Sequence, residues 1–268
     1  MTALISLDRV TRYFERPGRP PFVAVQDVTF GVEAGTFLSV VGPSGCGKST
    51  LLAMMSGLLP ISRGAILVGG SRVVDVQRNV AFIFQRDALM PWKTVRGNVE
   101  LALLFRGRRA EARKLAAEWI ARVGLRGFES YYPHQLSGGM RKRVALAQAL
   151  VYGPEIVLMD EPFSALDVQT RNLMENELLE LWAEDRKTVV FVTHDLEEAI
   201  SLSDEVVVLS ASPGRVKARY PIGLPRPRNV TEIRFHPTFV SLYERICADL
   251  RDEVLVSYEN QWAVSGGQ

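Results

Sequence analysis

Residues 42–50 read GPSGCGKST, directly after the apolar run FLSVV and directly before LLAMMSGLL, which can form a helix. This fits the phosphate-loop pattern G-x-x-x-x-G-K-[ST] in the strand-loop-helix context that it requires. The glycines let backbone N–H groups converge on an anion with no Cβ in the way, and the following helix N-terminus adds its partial positive charge. Gly42, Pro43, Ser44, Gly45, Cys46 and Gly47 are expected to form the cradle, with Lys48 on the β and γ phosphates. Ser49 is expected to offer a hydroxyl to Mg²⁺ and Thr50 to reach a further phosphate oxygen. A plain glycine-rich turn is the alternative, but every required position is filled.

A loop of this kind needs a sheet behind it. Short runs rich in β-branched residues stand at Thr36–Val41, Val80–Phe84, Ile156–Met159, Thr188–Val192 and Val206–Leu209. Each is apolar at both alternating positions, as strands buried on both faces are. Between them Leu115, Trp119, Ile120 and Val123 recur at helical spacing, as do Met174, Leu178, Leu181 and Trp182. The alternation predicts an α/β fold. From about Asp87 to Tyr152 no strand is evident, so a helical subdomain is expected to be inserted there. Pro213, Pro221, Pro225 and Pro227 punctuate the end of the main domain, because proline removes a ladder donor. The expected division is a main domain over 1–227 with the insertion at 87–152, then a short helical tail over 228–268 marked by Phe239, Leu242, Ile246 and Leu250.

Chemistry gathers at the expected carboxyl ends of these strands. Asp160 closes an apolar strand and is placed to hold Mg²⁺; Glu161 projects one residue further, where a carboxylate can polarise the water that attacks the γ phosphate. Gln85 ends another strand with an amide that both donates and accepts, suited to sensing Mg²⁺ or water. His194 ends VVFVT, where an imidazole can donate to a γ-phosphate oxygen. A second helix start, Leu136-Ser137-Gly138-Gly139-Met140, offers a hydroxyl and two unobstructed amides, so the chain carries two phosphate grips. A strand-end glutamine or histidine on its own would be unremarkable.

Composition narrows the setting. Lys plus Arg total 32 against 30 for Asp plus Glu, which gives no basic field to recruit nucleic acid or an anionic membrane. No apolar run reaches the ~18 residues of a membrane span, and the N-terminus shows no secretory signal. Two distant cysteines, Cys46 and Cys247, fit a reducing compartment rather than a disulfide framework. Cys46 is expected to be filler in the loop, with an alkylation that blocks ATP as the reactive alternative.

In these residues the chain resembles the ATP-binding cassette family from about residue 4 to residue 225. GPSGCGKST looks like its Walker A, Gln85 its Q-loop, LSGGM its signature, IVLMDE its Walker B with the catalytic glutamate, Ser164-Ala165-Leu166-Asp167 its D-loop and His194 its switch histidine. The resemblance implies a P-loop NTPase of cassette type, with a mainly parallel core sheet, an antiparallel N-terminal β part and an inserted α-helical subdomain. It implies ATP and Mg²⁺ as ligands, with Ser49, Gln85 and Asp160 on the metal side and Glu161, His194 and Gln85 in catalysis. It also implies a head-to-tail homodimer in which Ser137, Gly138 and Gly139 cap the γ phosphate bound by the partner's Lys48, with Asp167 linking the two sites. Phe14 aligns with the residue that stacks on adenine, with Tyr13 as the alternative. Met140 departs from the usual glutamine of the signature.

LSGGMRKRVALAQAL, DEPFSALD, VTHDLEEAI and SASPGRV look most similar to ATPase subunits of importers for nitrate, sulfonates and taurine. The resemblance thus implies two membrane permease subunits, an extracytoplasmic solute-binding protein, a place on the cytoplasmic face of the inner membrane and no nucleic-acid partner. Leu89, Met90, Pro91 and Trp92 are expected either to dock a permease helix or to pack locally. The alternatives to import are a soluble cassette acting on nucleic acid or ribosomes, and a nucleotide-binding regulatory module.

Overall fold

Five β-branched runs become the heart of one sheet. In the computed structural model, which describes residues 3–265, the order of that six-stranded sheet is β10-β9-β3-β8-β7-β6. Its strands are β3 (Phe37–Val41), β6 (Val80–Ile83), β7 (Ile156–Asp160), β8 (Thr188–Val192), β9 (Glu205–Leu209) and β10 (Val216–Pro221). The first five run parallel, and β10 pairs antiparallel with β9 at the edge. Every residue of β3 and β8 is buried. Helices on both faces leave these strands no polar side, which is why they read as continuous apolar runs.

A second sheet is antiparallel, in the order β2-β1-β4-β5. It is built from β1 (Ile5–Arg16), β2 (Arg19–Val32), β4 (Arg63–Val68) and β5 (Ser71–Arg72). Its inner residues Ile5, Leu7, Val10, Val28 and Ile66 pack with Leu38 and Val40 of the parallel sheet and with Leu51 and Leu52 of α1 (Lys48–Met55) in one core. This packing sets α1, and the loop before it, between the two sheets.

Between β6 and β7 run α2 (Val95–Leu104), α3 (Arg109–Arg122) and α4 (Gly138–Leu150). They share a core of their own, in which Val95, Val99, Ile120, Leu136 and Val144 are buried together. Thr94 caps α2, its hydroxyl accepting the Gly97 N–H at 3.2 Å. Two further helices, α5 (Val168–Asp185) and α6 (Leu196–Leu202), flank the parallel sheet. Met174, Leu178 and Trp182 of α5 pack on Phe37 and Phe191 of the sheet.

The proline-punctuated segment is more than an ending. It holds β10, and beyond it Arg228 reaches back to α6. The Arg228 guanidinium donates to the carbonyls of Ile200, Ser201 and Ser203 at 3.3, 3.1 and 2.7 Å, satisfying oxygens that the end of α6 leaves unpaired. The last helix, α7 (Pro237–Ser265), follows. Phe239, Leu242 and Ile246 are buried against Ala199 and Ile200 of α6 and against Ile222, so this helix packs on its own chain. Residues 266–268 of the expected tail lie outside the described residues. Among the described residues no helix is long and apolar enough to cross a membrane.

Candidate nucleotide site

In β3, β8, β7 and β6, which are neighbours in the sheet, the loop at each carboxyl end carries one part of the site. The 42–50 loop leaves β3, Asp160 and Glu161 close β7, His194 stands two residues beyond β8, and Gln85 two beyond β6. Four separate segments therefore meet at one edge because the strand order puts them there.

The loop is shaped from below. Gly47 has φ 97°, and a Cβ there would lie 2.8 Å from the Ala24 carbonyl oxygen. Only glycine fits both the conformation and the approach of β2. Lys48 is buried, and its ammonium donates to the Gly42 and Pro43 carbonyls at 2.8 and 2.9 Å. Two of its three donors are thereby fixed across the loop. Ser44, Gly45, Ser49 and Thr50 line a cavity together with Lys48 and Glu161.

Cys46 does not behave as a reactive loop thiol. Its side chain is 1 % exposed and packs inward, and burial pushes the thiol up from its ordinary value against the pull of Lys48. Its amide donates to the Pro43 carbonyl at 3.3 Å. Desolvation outweighs the helix N-terminus here, because the sulfur lies within the core and not at the mouth of the loop.

Ser49 Oγ donates to Asp160 Oδ1 at 2.8 Å, so the hydroxyl and carboxylate expected on the metal side meet directly. Burial pushes the Asp160 carboxyl up, and the neighbouring Glu161 charge adds to this. A cation would offset both effects. A hydroxyl, a carboxylate and the nearby Gln85 amide are the oxygen donors that a small hard cation accepts, so these residues fit Mg²⁺. Among the described residues no group of three or more His, Cys, Asp or Glu could hold a metal, so ligands from outside the chain, water or phosphate oxygens, would complete the shell.

Glu161 is the meeting point of the site. Its φ of 44° is left-handed, and its N–H donates to the Val192 carbonyl at 2.9 Å, which fixes the turn against β8. Its Oε2 accepts from Gln85 Nε2 at 3.3 Å and lies 3.0 Å from His194 Nδ1. Both of these residues, picked from separate strand ends, thus converge on one carboxylate oxygen.

Phe14 lines the cavity and Tyr13 does not. Opposite Phe14 in the β1–β2 register stands Phe22, which lines the same cavity. Arg12 lies over the Phe14 ring and Arg16 over the Phe22 ring, each 4.6 Å from the centroid. Sequence spacing alone could not reveal Phe22, because its partnership with Phe14 depends on the strand register.

Ser137, Gly138 and Gly139 stand elsewhere. Ser137 caps α4, its Oγ accepting the Met140 N–H at 3.2 Å, and none of the three lines the cavity that holds Lys48. Gly138 lines a separate groove with Gln85, Asp87 and Leu166. At Gly139 a Cβ would come within 2.9 Å of Thr170 Cγ2, so α4 approaches the start of α5 closely. Asp167 caps α5, its Oδ1 accepting the Thr170 N–H at 3.0 Å, and that bond holds its carboxyl below the ordinary value. Within one chain the 42–50 loop and Gly138 therefore line different cavities.

Gln85 and the segment after it are also tied to α4. Lys142 donates to the Gln85 carbonyl at 2.6 Å and pairs with Asp87 at 2.9 Å, while Arg141 meets Asp87 at 3.1 Å. Of the four apolar residues after the Q-loop, Leu89 is buried in the helical core, so it belongs to local packing and not to a surface patch. Trp92 is 71 % exposed.

The ABC transporter family profile matches residues 25–164. An uncharacterized ABC transporter ATP-binding protein of Methanocaldococcus jannaschii is 46 % identical over 258 residues, 96 % of this chain and 95 % of that protein. The aliphatic sulfonates import ATP-binding protein SsuB of Bacillus cereus is 41 % identical over 86 % of this chain and 91 % of its own length. The nitrate import ATP-binding protein NrtC of Synechococcus elongatus is 38 % identical over 97 % of this chain and 39 % of its own. Among solved structures, a dimeric ATP-binding cassette in a post-hydrolysis state with ADP and Pi superposes with a TM-score of 0.73 at 34 % identity. That match covers 81 % of this chain and 98 % of the other.

Proposed function

This chain belongs to the ABC transporter family and is an ATP-binding ATPase of it; from that premise we propose that it powers an importer for a small anion such as nitrate or a sulfonate. The import names of SsuB and NrtC support the direction and the class of solute. Two permease subunits would carry the solute and an extracytoplasmic binding protein would deliver it. The chain itself would work on the cytoplasmic face of the inner membrane.

The observation that carries this reading is that Lys48 and Gly138 line separate cavities within one chain. A triphosphate held by Lys48 lacks the second set of amides unless another copy brings Ser137, Gly138 and Gly139 to it. We therefore take the working unit to be a head-to-tail homodimer, with Asp167 at the boundary beside the signature helix. The adenine would stack on Phe14 with Phe22 beside it. Ser49 and Asp160 would hold Mg²⁺, with Gln85 next to them, and the ion would neutralise charge on the phosphates.

Glu161 would accept the proton of the attacking water, as its free carboxylate and its two polar neighbours allow. His194 would orient Glu161 and meet the γ phosphate as the dimer closes. Lys142 and Asp87 tie the Q-loop to α4, which gives the cycle a route into the helical subdomain over 87–152. Trp92, exposed on that subdomain, is the docking residue we assign to the permease.

Light scattering with ATP tests the dimer. Glu161→Gln should bind ATP and run as a dimer, and adding Ser137→Arg should leave ATP bound to a monomer. A dimer that persists in the double variant contradicts the composite site. For the permease contact, Trp92→Ala in the reconstituted transporter should lose solute uptake while the isolated subunit keeps its ATPase rate. Undiminished uptake removes Trp92 from docking.

A further inference from the structure

Behind His194 lies a buried acidic pair that the site as described does not use. Glu198 of α6 is 4 % exposed, and Glu175 of α5 is wholly buried. Neither oxygen of Glu175 receives a donor from any other residue type; the group within its hydrogen-bonding reach is the Glu198 carboxyl. Two carboxyls in that relation need a proton between them.

Glu198 is also connected to the switch loop. Thr193 Oγ1 accepts the Asp195 N–H at 3.0 Å, so its single proton goes to Glu198 Oε2, with which it forms a short hydrogen bond. The Thr193 N–H in turn donates to the Val40 carbonyl at 3.3 Å. Asp195, on the other side of His194, caps α6 through Oδ1 and accepts from Arg171 at 3.1 Å through Oδ2. Arg171 also donates to the Leu166 carbonyl at 3.2 Å. His194 thus projects from a main chain held on both sides.

We propose that Glu198, paired with Glu175, is a positioning residue for His194. By accepting the Thr193 hydroxyl it fixes the strand end from which the imidazole reaches Glu161, and a proton shared between the two carboxyls keeps them from driving each other apart. The inference rests on the proposed role of His194.

Burial pushes Glu175 up to about 7 and Glu198 up to about 8, so the pair keeps a proton at neutral pH and loses it just above. The charges around the pair are mixed. Arg171 from α5 and Arg234 from the turn before α7 favour the anionic form, while Asp195 disfavours it. Glu197 is paired with Arg234 at 3.1 Å, and the charges of Glu197 and Asp195 add to the burial that pushes the Tyr243 hydroxyl of α7 up. The Thr193 hydroxyl itself favours the Glu198 anion, but burial outweighs it, and loss of the proton sets two buried anions against each other so that the Glu198 carboxylate is driven off its place beside Thr193.

ATP hydrolysis by the full chain, followed from about pH 6.5 to about pH 8.5, tests this. A group titrating at about 8 gives the wild type a fall in kcat of about fourfold over that range, with KM held within about twofold. Glu198→Gln keeps an acceptor for Thr193 and offers Glu175 an N–H, so its kcat should lose that alkaline fall. Glu198→Ala should lower kcat at least about tenfold with little change in KM. The proposal is overturned if Glu198→Gln retains the wild-type profile, or if Glu198→Ala leaves kcat unchanged or raises KM in proportion. Should Glu198→Ala fail to fold, the profile of Glu198→Gln decides. His194→Ala separates the two readings: at wild-type rate it faults the role of His194. If it is inactive while Glu198→Gln keeps the alkaline fall, only the role of Glu198 fails.

Discussion

His194 Nδ1 lies 3.0 Å from Glu161 Oε2, although the two residues leave different strands and stand 33 positions apart. The parallel pairing of β7 with β8 creates this contact by setting Asp160 opposite Val192. A carboxylate so placed is held ready without being consumed by a salt bridge to Lys or Arg. Replacing it should therefore separate binding from turnover. Glu161→Gln is expected to keep ATP affinity within about threefold while hydrolysis falls at least about a hundredfold. Equal loss of both, by calorimetry and phosphate release, would mean that Glu161 shapes the pocket and does not act on water.

Gly47 is the position where the loop tolerates least. A Cβ there would meet the Ala24 carbonyl at 2.8 Å with φ at 97°. Gly47→Ala is expected to cost about 2–4 kcal/mol in urea unfolding and at least about tenfold in ATP affinity. A variant with wild-type stability and affinity would show that the loop can move away from β2.

The buried pair also sets a pH dependence of stability. Folding raises Glu175 from 4.5 to about 7 and Glu198 from 4.5 to about 8, so the folded chain holds more protons than the unfolded one between these limits. Their stabilisation is full below 4.5 and is lost as pH rises through 7 to 8. Glu175→Gln should remove that residue's own share of the decline, on the order of 3 kcal/mol by chemical denaturation. A variant whose stability falls as steeply as the wild type would contradict this.

Cys46 is expected to resist alkylation. Its sulfur is buried and its thiol pushed up, so iodoacetamide should modify it only on unfolding, at a rate that ATP does not alter except through stability. Rapid labelling that ATP blocks, read from the peptide mass, would put the thiol at the mouth of the loop.

The parts of this fold that were legible in the sequence are those where a residue type has one use. Runs such as TVVFV suit only a strand covered on both faces, and the residues after them inherit the carboxyl edge of the sheet. The antiparallel sheet is harder to read from the residues, because β1 and β2 pair through several register shifts and mix buried with exposed positions. The prolines around β10 suggested an ending, yet at an edge strand Pro221 costs no ladder bond that an inner strand would need. Cys46 follows a rule about helix N-termini until burial is known. Lys142 and Arg171 reach partners distant in sequence, Phe22 meets Phe14 through the strand register, and Glu198 sits in the segment VTHDLEEAI, whose residues alone do not show that it is buried.

The most direct test of the composite site is a crystal structure of Glu161→Gln with ATP. The account predicts that Ser137 Oγ and the Gly139 amide of one protomer lie within hydrogen-bonding distance of the γ phosphate held by Lys48 of the other. A closed nucleotide-bound form in which Ser137 is remote from every phosphate would contradict it.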